Sequence, residues 1–234
     1  KIMHILLTRP LEDCSNLIIK FKELGHKVSH LPVIKIKKVE HKEINFDNYA
    51  AIIFTSSNSI KNLNLDNINK TIKCFCVSSV TEKFARSFGF QNVFAANRGV
   101  RVLKELVLQN HEKKDGKILY VSGELISFDL DYELSREGYE VTRIINYSVI
   151  QNSEFSSDFI NELKNNIPEI VYIYSENSAK SFLNIIKKYQ LIDSWMNTNL
   201  MCIGEKTSSV LNEVKWKKIF LFSPGEEEFL LYKI

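Results

Sequence analysis

Small hydroxyl and amide side chains follow five short apolar runs of this chain, where they could help to bind an anion. The five groups are Thr55, Ser56, Ser57 and Asn58; Ser78 and Thr81; Ser122, Gly123 and Glu124; Ser175, Asn177 and Ser178; and Gly204, Lys206 and Thr207. A helical segment follows each group, so these side chains suit helix N-caps. The first N–H groups of a helix have no partner within it, so they can hold a phosphate or a carboxylate. Helix capping alone is the alternative for each group.

The apolar runs predict buried strands, and the segments after the polar groups predict helices. The two clearest copies span 51–61 and 170–180, where an Ile-rich run breaks into Ser and Asn before a helix. Strands and helices alternate from a strand at 3–8, followed by Pro10 and a helix, to a last helix that begins at Pro224. This alternation predicts an α/β fold with parallel sheets.

Some segments carry more specific expectations. The helix after Ser122, Gly123 and Glu124 is expected to run to Gly138, and the one that opens at Gly204 to reach about Val214. Residues 33–39 alternate apolar and basic side chains, which is typical of a half-exposed strand, and 139–150 reads as one long extended segment.

Three pairs of segments match in the same order along the chain. Gly25 corresponds to Gly138, Asn58 to Asn177 and Thr81 to Thr207, at separations that increase slowly. A duplicated α/β unit would give this pattern, although strand-turn-helix units also resemble one another in any α/β protein. We expect two similar domains with a cleft between them.

Composition narrows the classes of function. The net charge of +3 comes from 31 basic and 28 acidic residues, which implies no nucleic-acid partner. No apolar window is long enough for a membrane span, and Arg9 comes too early for a signal peptide, so a cytoplasmic location is expected. The four cysteines read as buried core thiols, and no metal is expected.

Familiar catalytic motifs do not occur in the chain. The five histidines are scattered, and there is no Walker sequence, no Gly-x-Gly-x-x-Gly and no Gly-x-Ser-x-Gly. The remaining candidate chemistry is a polyanion held by backbone N–H groups and hydroxyls at the carboxyl ends of strands, where open α/β sheets bind ligands.

The ordered set of motifs resembles the uroporphyrinogen-III synthase family over nearly the whole chain. The resemblance rests on Leu-Leu-Thr-Arg-Pro (6–10), Ile-Phe-Thr-Ser-Ser-Asn-Ser (53–59), Val-Ser-Ser-Val-Thr (77–81), Asn-Tyr-Ser-Val-Ile (146–150), Ile-Tyr-Ser-Glu-Asn-Ser-Ala (173–179) and Ile-Gly-Glu-Lys-Thr (203–207). It implies two flavodoxin-like or Rossmann-like domains joined by a two-stranded ladder. The first would hold 1–33 and 152–234, the second 44–142, and 34–43 and 143–151 would be the connecting strands.

The resemblance also implies a cofactor-independent lyase of haem biosynthesis. The enzyme would cyclise hydroxymethylbilane, a linear tetrapyrrole with carboxylate side chains, to uroporphyrinogen III, inverting the last pyrrole ring and releasing water. Tyr147 matches a tyrosine that the family places near the cleft, where it could donate a proton to the departing hydroxyl; packing alone is the alternative. Arg9 joins the five polar groups as a substrate-binding residue. We expect a monomer that makes transient contact with the enzyme supplying the substrate.

Two departures and two rival readings accompany this resemblance. Ser78 replaces a glycine of the family, and Val121-Ser122-Gly123-Glu124 lacks the arginine that many members carry before the glycine. An inactive relative that keeps the fold is therefore one rival. The other is a two-domain small-molecule binding or sensor module without catalysis.

Overall fold

The computed structural model describes residues 1–97, 99–223 and 225–234, in which strands and helices alternate. The strands are β1 (His4–Leu7), β2 (Lys27–His30), β3 (Ile34–Lys38), β4 (Ala51–Phe54), β5 (Lys73–Cys76), β6 (Val93–Ala95), β7 (Ile118–Gly123), β8 (Val141–Gln151), β9 (Ile170–Ile173), β10 (Asn199–Cys202) and β11 (Lys218–Leu221). The helices are α1 (Leu11–Glu23), α2 (Ser57–Lys61), α3 (Ser79–Ser87), α4 (Val100–Asn110), α5 (Leu130–Arg136), α6 (Ser157–Asn165), α7 (Glu176–Lys188), α8 (Gly204–Ser209) and α9 (Glu227–Leu230).

The chain divides into two compact units. Unit 1 contains Lys1–Lys35 and Ile150–Ile234, and unit 2 contains Ile36–Val149. The boundaries fall inside β3 and inside β8, so these two strands carry the chain from one unit to the other.

The sheet of unit 1 has the strand order β11-β10-β9-β1-β2, and all of its pairs are parallel. Successive side chains of a strand point to opposite faces, which gives the sheet two cores. Leu6 and Val171 pack with Trp195 on one face, whereas Ile5 and Tyr172 pack with other apolar side chains on the opposite face. Burial on both faces explains why β1 and β9 read as continuous apolar runs.

The sheet of unit 2 has the order β3-β8-β7-β4-β5-β6. Its pairs from β8 to β6 are parallel. Ile52 and Phe54 face one core, and Ala51 and Ile53 face the other. The α/β fold with parallel sheets, predicted from the alternation of elements, is confirmed.

Equivalent strands occupy equivalent positions in the two sheets. Reading β2-β1-β9-β10-β11 against β8-β7-β4-β5-β6 aligns the segments that match in sequence. Gly25, after α1, and Gly138, after α5, have φ of 85° and 90°. This left-handed conformation suits a glycine just beyond a helix end.

Two predicted helix boundaries, the start of α5 and the end of α8, are wrong. α5 begins at Leu130 and not directly after Glu124; residues 125–128, between β7 and α5, line a cavity and are not helical. α8 ends at Ser209. Beyond it the N–H groups of Leu211, Asn212 and Val214 bond to carbonyls three residues back, and these turns bury the side chains of Leu211 and Val214. The last helix begins at Glu227. Pro224, its predicted start, lies outside the described residues.

Candidate functional site

The carboxyl ends of β4, β5 and β7 in unit 2 border a cavity of about 300 Å³. Parallel strands end at the same edge of a sheet, which is where α/β proteins bind ligands. The lining of the cavity includes Thr55, Val77, Tyr120, Gly123, Phe128 and Tyr147. Sequence reasoning selected Thr55, Gly123 and Tyr147, and it missed the apolar lining and Tyr120.

Tyr147 lies against Gly123 at this edge. The pairing of β7 with β8 shifts register here, since Ser122 is opposite Ile145 whereas Gly123 is opposite Tyr147. A methyl group on Gly123 would lie 2.7 Å from Cζ of the Tyr147 ring and 2.9 Å from its hydroxyl oxygen. The glycine therefore admits the ring, which is 9% exposed. Among the described residues, no group hydrogen-bonds to the Tyr147 hydroxyl, and Tyr147 lines the cavity.

Arg143 reaches the segment that follows β7. Its Nε donates to the Ser122 hydroxyl at 2.8 Å, and its Nη2 donates to the carbonyls of Gly123 at 2.9 Å and Glu124 at 3.1 Å. Sequence reasoning noted that this segment lacks an arginine of its own and missed that β8 supplies one. The only signal available was an arginine four residues before Tyr147 on a predicted extended segment.

Tyr120 and Thr55 provide two more hydroxyls at the cavity. Their oxygens lie 3.3 Å apart. Tyr120 is 1% exposed, and burial raises the pKa of its phenol because an ionised phenolate would lose its hydration. Tyr120 therefore stays protonated at neutral pH and can act as a hydrogen-bond donor.

The other predicted polar residues of unit 2 lie at the starts of α2 and α3. The Ser56 hydroxyl accepts from the N–H of Asn58 at 3.1 Å, and the Ser78 hydroxyl accepts from the N–H of Thr81 at 3.3 Å. Ser57 is the first residue of α2. These contacts make Ser56 and Ser78 helix caps, the alternative that the sequence left open, and binding by either group stays a prediction.

The predicted residues of unit 1 lie at the carboxyl ends of β1, β9 and β10. Ser175 caps α7, its hydroxyl accepting from the N–H of Ser178 at 3.0 Å. Asn177 and Lys206 are exposed, whereas Ser178 and Thr207 are buried. Gly204 begins α8 with φ of 76°. The structure thus brings the unit 1 residues to one sheet edge and the unit 2 residues to the corresponding edge of the other sheet.

Arg9 is fixed by its neighbours at the unit 1 edge. Its Cζ lies 4.7 Å from the centroid of the Tyr174 ring, a cation–π contact. Its Nη2 lies 3.9 Å from a carboxylate oxygen of Asp13. The Arg9 side chain is 37% exposed, so the guanidinium remains accessible to a further anion.

Glu227, the first residue of α9, lies at the same sheet edge of unit 1. It is 8% exposed, accepts from the Tyr174 hydroxyl at 2.8 Å and accepts from the N–H of Gly225 at 2.7 Å. Burial raises the pKa of Tyr174, and the neighbouring carboxylate adds to the effect. Sequence reasoning missed Tyr174 and Glu227, because 53 residues separate them.

Among the described residues, no three His, Cys, Asp or Glu side chains come close enough together to hold a metal ion. No helix in the described part of the chain is both long and apolar enough to cross a membrane.

Two units with parallel sheets, each with hydroxyl groups at its carboxyl edge, define a two-unit α/β protein of the ligand-binding or catalytic kind. A family model described as uroporphyrinogen-III synthase HemD matches residues 15–223. The chain therefore belongs to the uroporphyrinogen-III synthase family, whose members are cyclising lyases of haem biosynthesis. No curated protein sequence matches the chain.

Solved structures resemble the fold over its full length. A uroporphyrinogen-III synthetase from Helicobacter pylori is 19% identical, with a TM-score of 0.66 and coverage of 100% of both chains. A mutant uroporphyrinogen III synthase from Thermus thermophilus is 12% identical, with a TM-score of 0.50 and coverage of 99% of this chain and 97% of its own. At 19% and 12% identity, these two structures show that the chain shares their fold.

Proposed function

We propose that this protein cyclises hydroxymethylbilane to uroporphyrinogen III, with Tyr147 as the general acid. The observation that carries the assignment of Tyr147 is its position: a hydroxyl that no described residue engages, at a cavity on the carboxyl edge of a parallel sheet. Membership of the family supplies the reaction.

Tyr147 would act on the hydroxymethyl group of the substrate. As the C–O bond breaks, the phenol transfers its proton to the departing oxygen, water leaves, and an electrophilic azafulvene remains. The substituted carbon of the last pyrrole attacks the methylene carbon that carried the hydroxyl. The resulting spiro intermediate fragments and recloses with the last pyrrole ring inverted. The proton lost as the pyrrole regains aromaticity restores the phenol, so the net change is loss of one water.

Carboxylates of the substrate would bind to the polar groups at the two sheet edges. In unit 1 the accessible guanidinium of Arg9 and the exposed Lys206 supply positive charge. In unit 2 the Arg101 guanidinium lies 4.9 Å from the ring of Phe128, which lines the cavity. The hydroxyls that cap helices already accept hydrogen bonds, so the substrate carboxylates would bind mainly to the first N–H groups of the helices and to these cations.

A coupled assay tests the function directly. Freshly generated hydroxymethylbilane is supplied, the products are oxidised, and the type I and type III isomers are separated by chromatography. Dominant type III with the protein, against type I in buffer alone, is the expected result. Only type I from folded protein would overturn the proposal, and tight tetrapyrrole binding without turnover would favour the binding module or the inactive relative.

A cytoplasmic location and a monomeric state complete the proposal. All four cysteines are buried free thiols, which suits a reducing compartment.

Light scattering after size exclusion measures the mass of the particle in solution and so tests the monomeric state. A pull-down with the enzyme that supplies hydroxymethylbilane tests the transient contact, and cell fractionation tests the location.

A further inference from the structure

The shift in register between β7 and β8 places an extra residue, Asn146, on the β8 side. Such a bulge interrupts the ladder and leaves backbone groups that need other partners. The carbonyl of Gly123 and that of the next residue, Glu124, accept from the Arg143 side chain. The Arg143 side chain therefore donates to two backbone carbonyls directly beside the point where the ladder is broken.

Arg143 holds this segment at three points with two neighbouring nitrogens. The Ser122 hydroxyl accepts from Nε at 2.8 Å and itself donates to the Gly123 carbonyl at 3.0 Å, so the three groups form a closed network. Ser122 is fully buried, and Arg143 is half-buried. The planar guanidinium can donate to all three acceptors at once. The ammonium of a lysine is a single point of charge and could not reproduce this geometry.

The position of the segment decides where Tyr147 lies. The ring rests on Gly123, with no room for even one added carbon. The N–H of Glu124 also donates to the Tyr147 carbonyl at 2.9 Å. A movement of the Ser122–Glu124 backbone would therefore move the ring and its hydroxyl.

We propose that Arg143 is a positioning residue: it fixes the bulged Ser122–Glu124 segment and, through Gly123, holds the Tyr147 hydroxyl at the cavity. The inference rests on the proposed role of Tyr147 and adds a residue that acts on Tyr147 through the backbone of Gly123. A small displacement of a catalytic group costs rate more than substrate affinity, because only the reacting geometry is lost.

Arg143→Lys is the test variant, and Arg86→Lys is its matched control. Arg86 also donates to two backbone carbonyls of unit 2, those of Gln91 and Val93, each at 3.3 Å, but it does not line the cavity. We expect Arg143→Lys to lower kcat for type III roughly tenfold to a hundredfold with KM within about twofold. Arg86→Lys should leave both constants near the wild-type values.

A second readout needs no turnover. With 3-fluorotyrosine incorporated, the ¹⁹F resonance missing from Tyr147→Phe protein identifies Tyr147. Arg143→Lys should shift or broaden this resonance, and Arg86→Lys should not. An unshifted resonance, or an equal change in both variants, would overturn the proposal. If wild-type protein makes no type III isomer, the proposed function fails while the ¹⁹F result still decides the role of Arg143.

Ser122→Ala keeps the test decisive if Arg143→Lys does not fold. It removes the acceptor of Nε and leaves the two carbonyl contacts, so a smaller change in the same resonance is expected. No change in that resonance would count against the network.

Discussion

The hydroxyl of Tyr147 is the proposed proton donor, and Tyr147→Phe removes this group alone. We expect Tyr147→Phe to lower the rate of type III formation by about 10²- to 10⁴-fold, the range of general acid catalysis, with the ring still packed on Gly123. Initial rates in the coupled assay measure this. Tyr139→Phe is the control, since its hydroxyl donates to the His111 carbonyl at 2.8 Å, elsewhere in unit 2. Equal rates for wild type and Tyr147→Phe would remove the acid role.

Gly123 is required by its neighbour and not by its backbone conformation, because it is not among the glycines with positive φ. The methyl group of Gly123→Ala would overlap the Tyr147 ring, 2.7 Å from Cζ. Overpacking of this kind lowers the free energy of unfolding by about 1–3 kcal/mol. Urea denaturation of Gly123→Ala, Tyr147→Ala and the double variant tests the contact. The loss should largely vanish in the Tyr147→Ala background; an equal loss in both backgrounds would assign it to another cause.

Ser175, at the start of α7, is a site where helix capping can be distinguished from substrate binding. The hydroxyls of Ser175 and Ser156 both cap helices of unit 1, accepting from the N–H groups of Ser178 at 3.0 Å and Phe159 at 3.2 Å. Either serine changed to alanine should lower the free energy of unfolding by about 1 kcal/mol. Only Ser175→Ala is expected to raise KM as well. If neither variant changes KM, Ser175 serves the helix alone.

The stability of the whole molecule should fall in mild acid, and His4 contributes to this. His4 is 7% exposed, and burial, followed by the charge of Lys27, lowers its pKa below the ordinary 6.5. Well above pH 6.5 the ring is neutral in both the folded and the unfolded state. As the pH falls, the unfolded state binds the proton first, so stability is lost between 6.5 and the lower folded pKa.

Urea unfolding at several pH values measures this contribution. One histidine can change the free energy of unfolding by at most about 1.4 kcal/mol per pH unit. His4→Gln should give a shallower fall in stability between about pH 7.5 and about pH 5, the window in which an ordinary histidine gains its proton. Identical slopes for the variant and the wild type would show that His4 does not contribute.

At the sheet edges, the sequence was sufficient to predict polar groups whose partners are their neighbours in the chain. A serine at the end of an apolar run and the helix after it are neighbours in sequence, which is why Ser56, Ser78 and Ser175 could be identified as caps. Sequence reasoning missed the groups that arrive from other elements. Arg143 reaches Ser122 across a strand pair, and Glu227 reaches Tyr174 from the end of the chain.

The α/β class, the family and most strands could be predicted from the amino-acid sequence alone, because hydrophobic periodicity and short motifs are properties of neighbouring residues. The bulge beside Gly123, the late start of α5 and the partners of Arg143 depend on contacts between distant parts of the chain. Register between strands depends on side chains that are distant in the chain, and no local pattern specifies which carbonyl a guanidinium will meet. The candidate acid was therefore visible in the sequence, whereas the contacts that hold it in place were not.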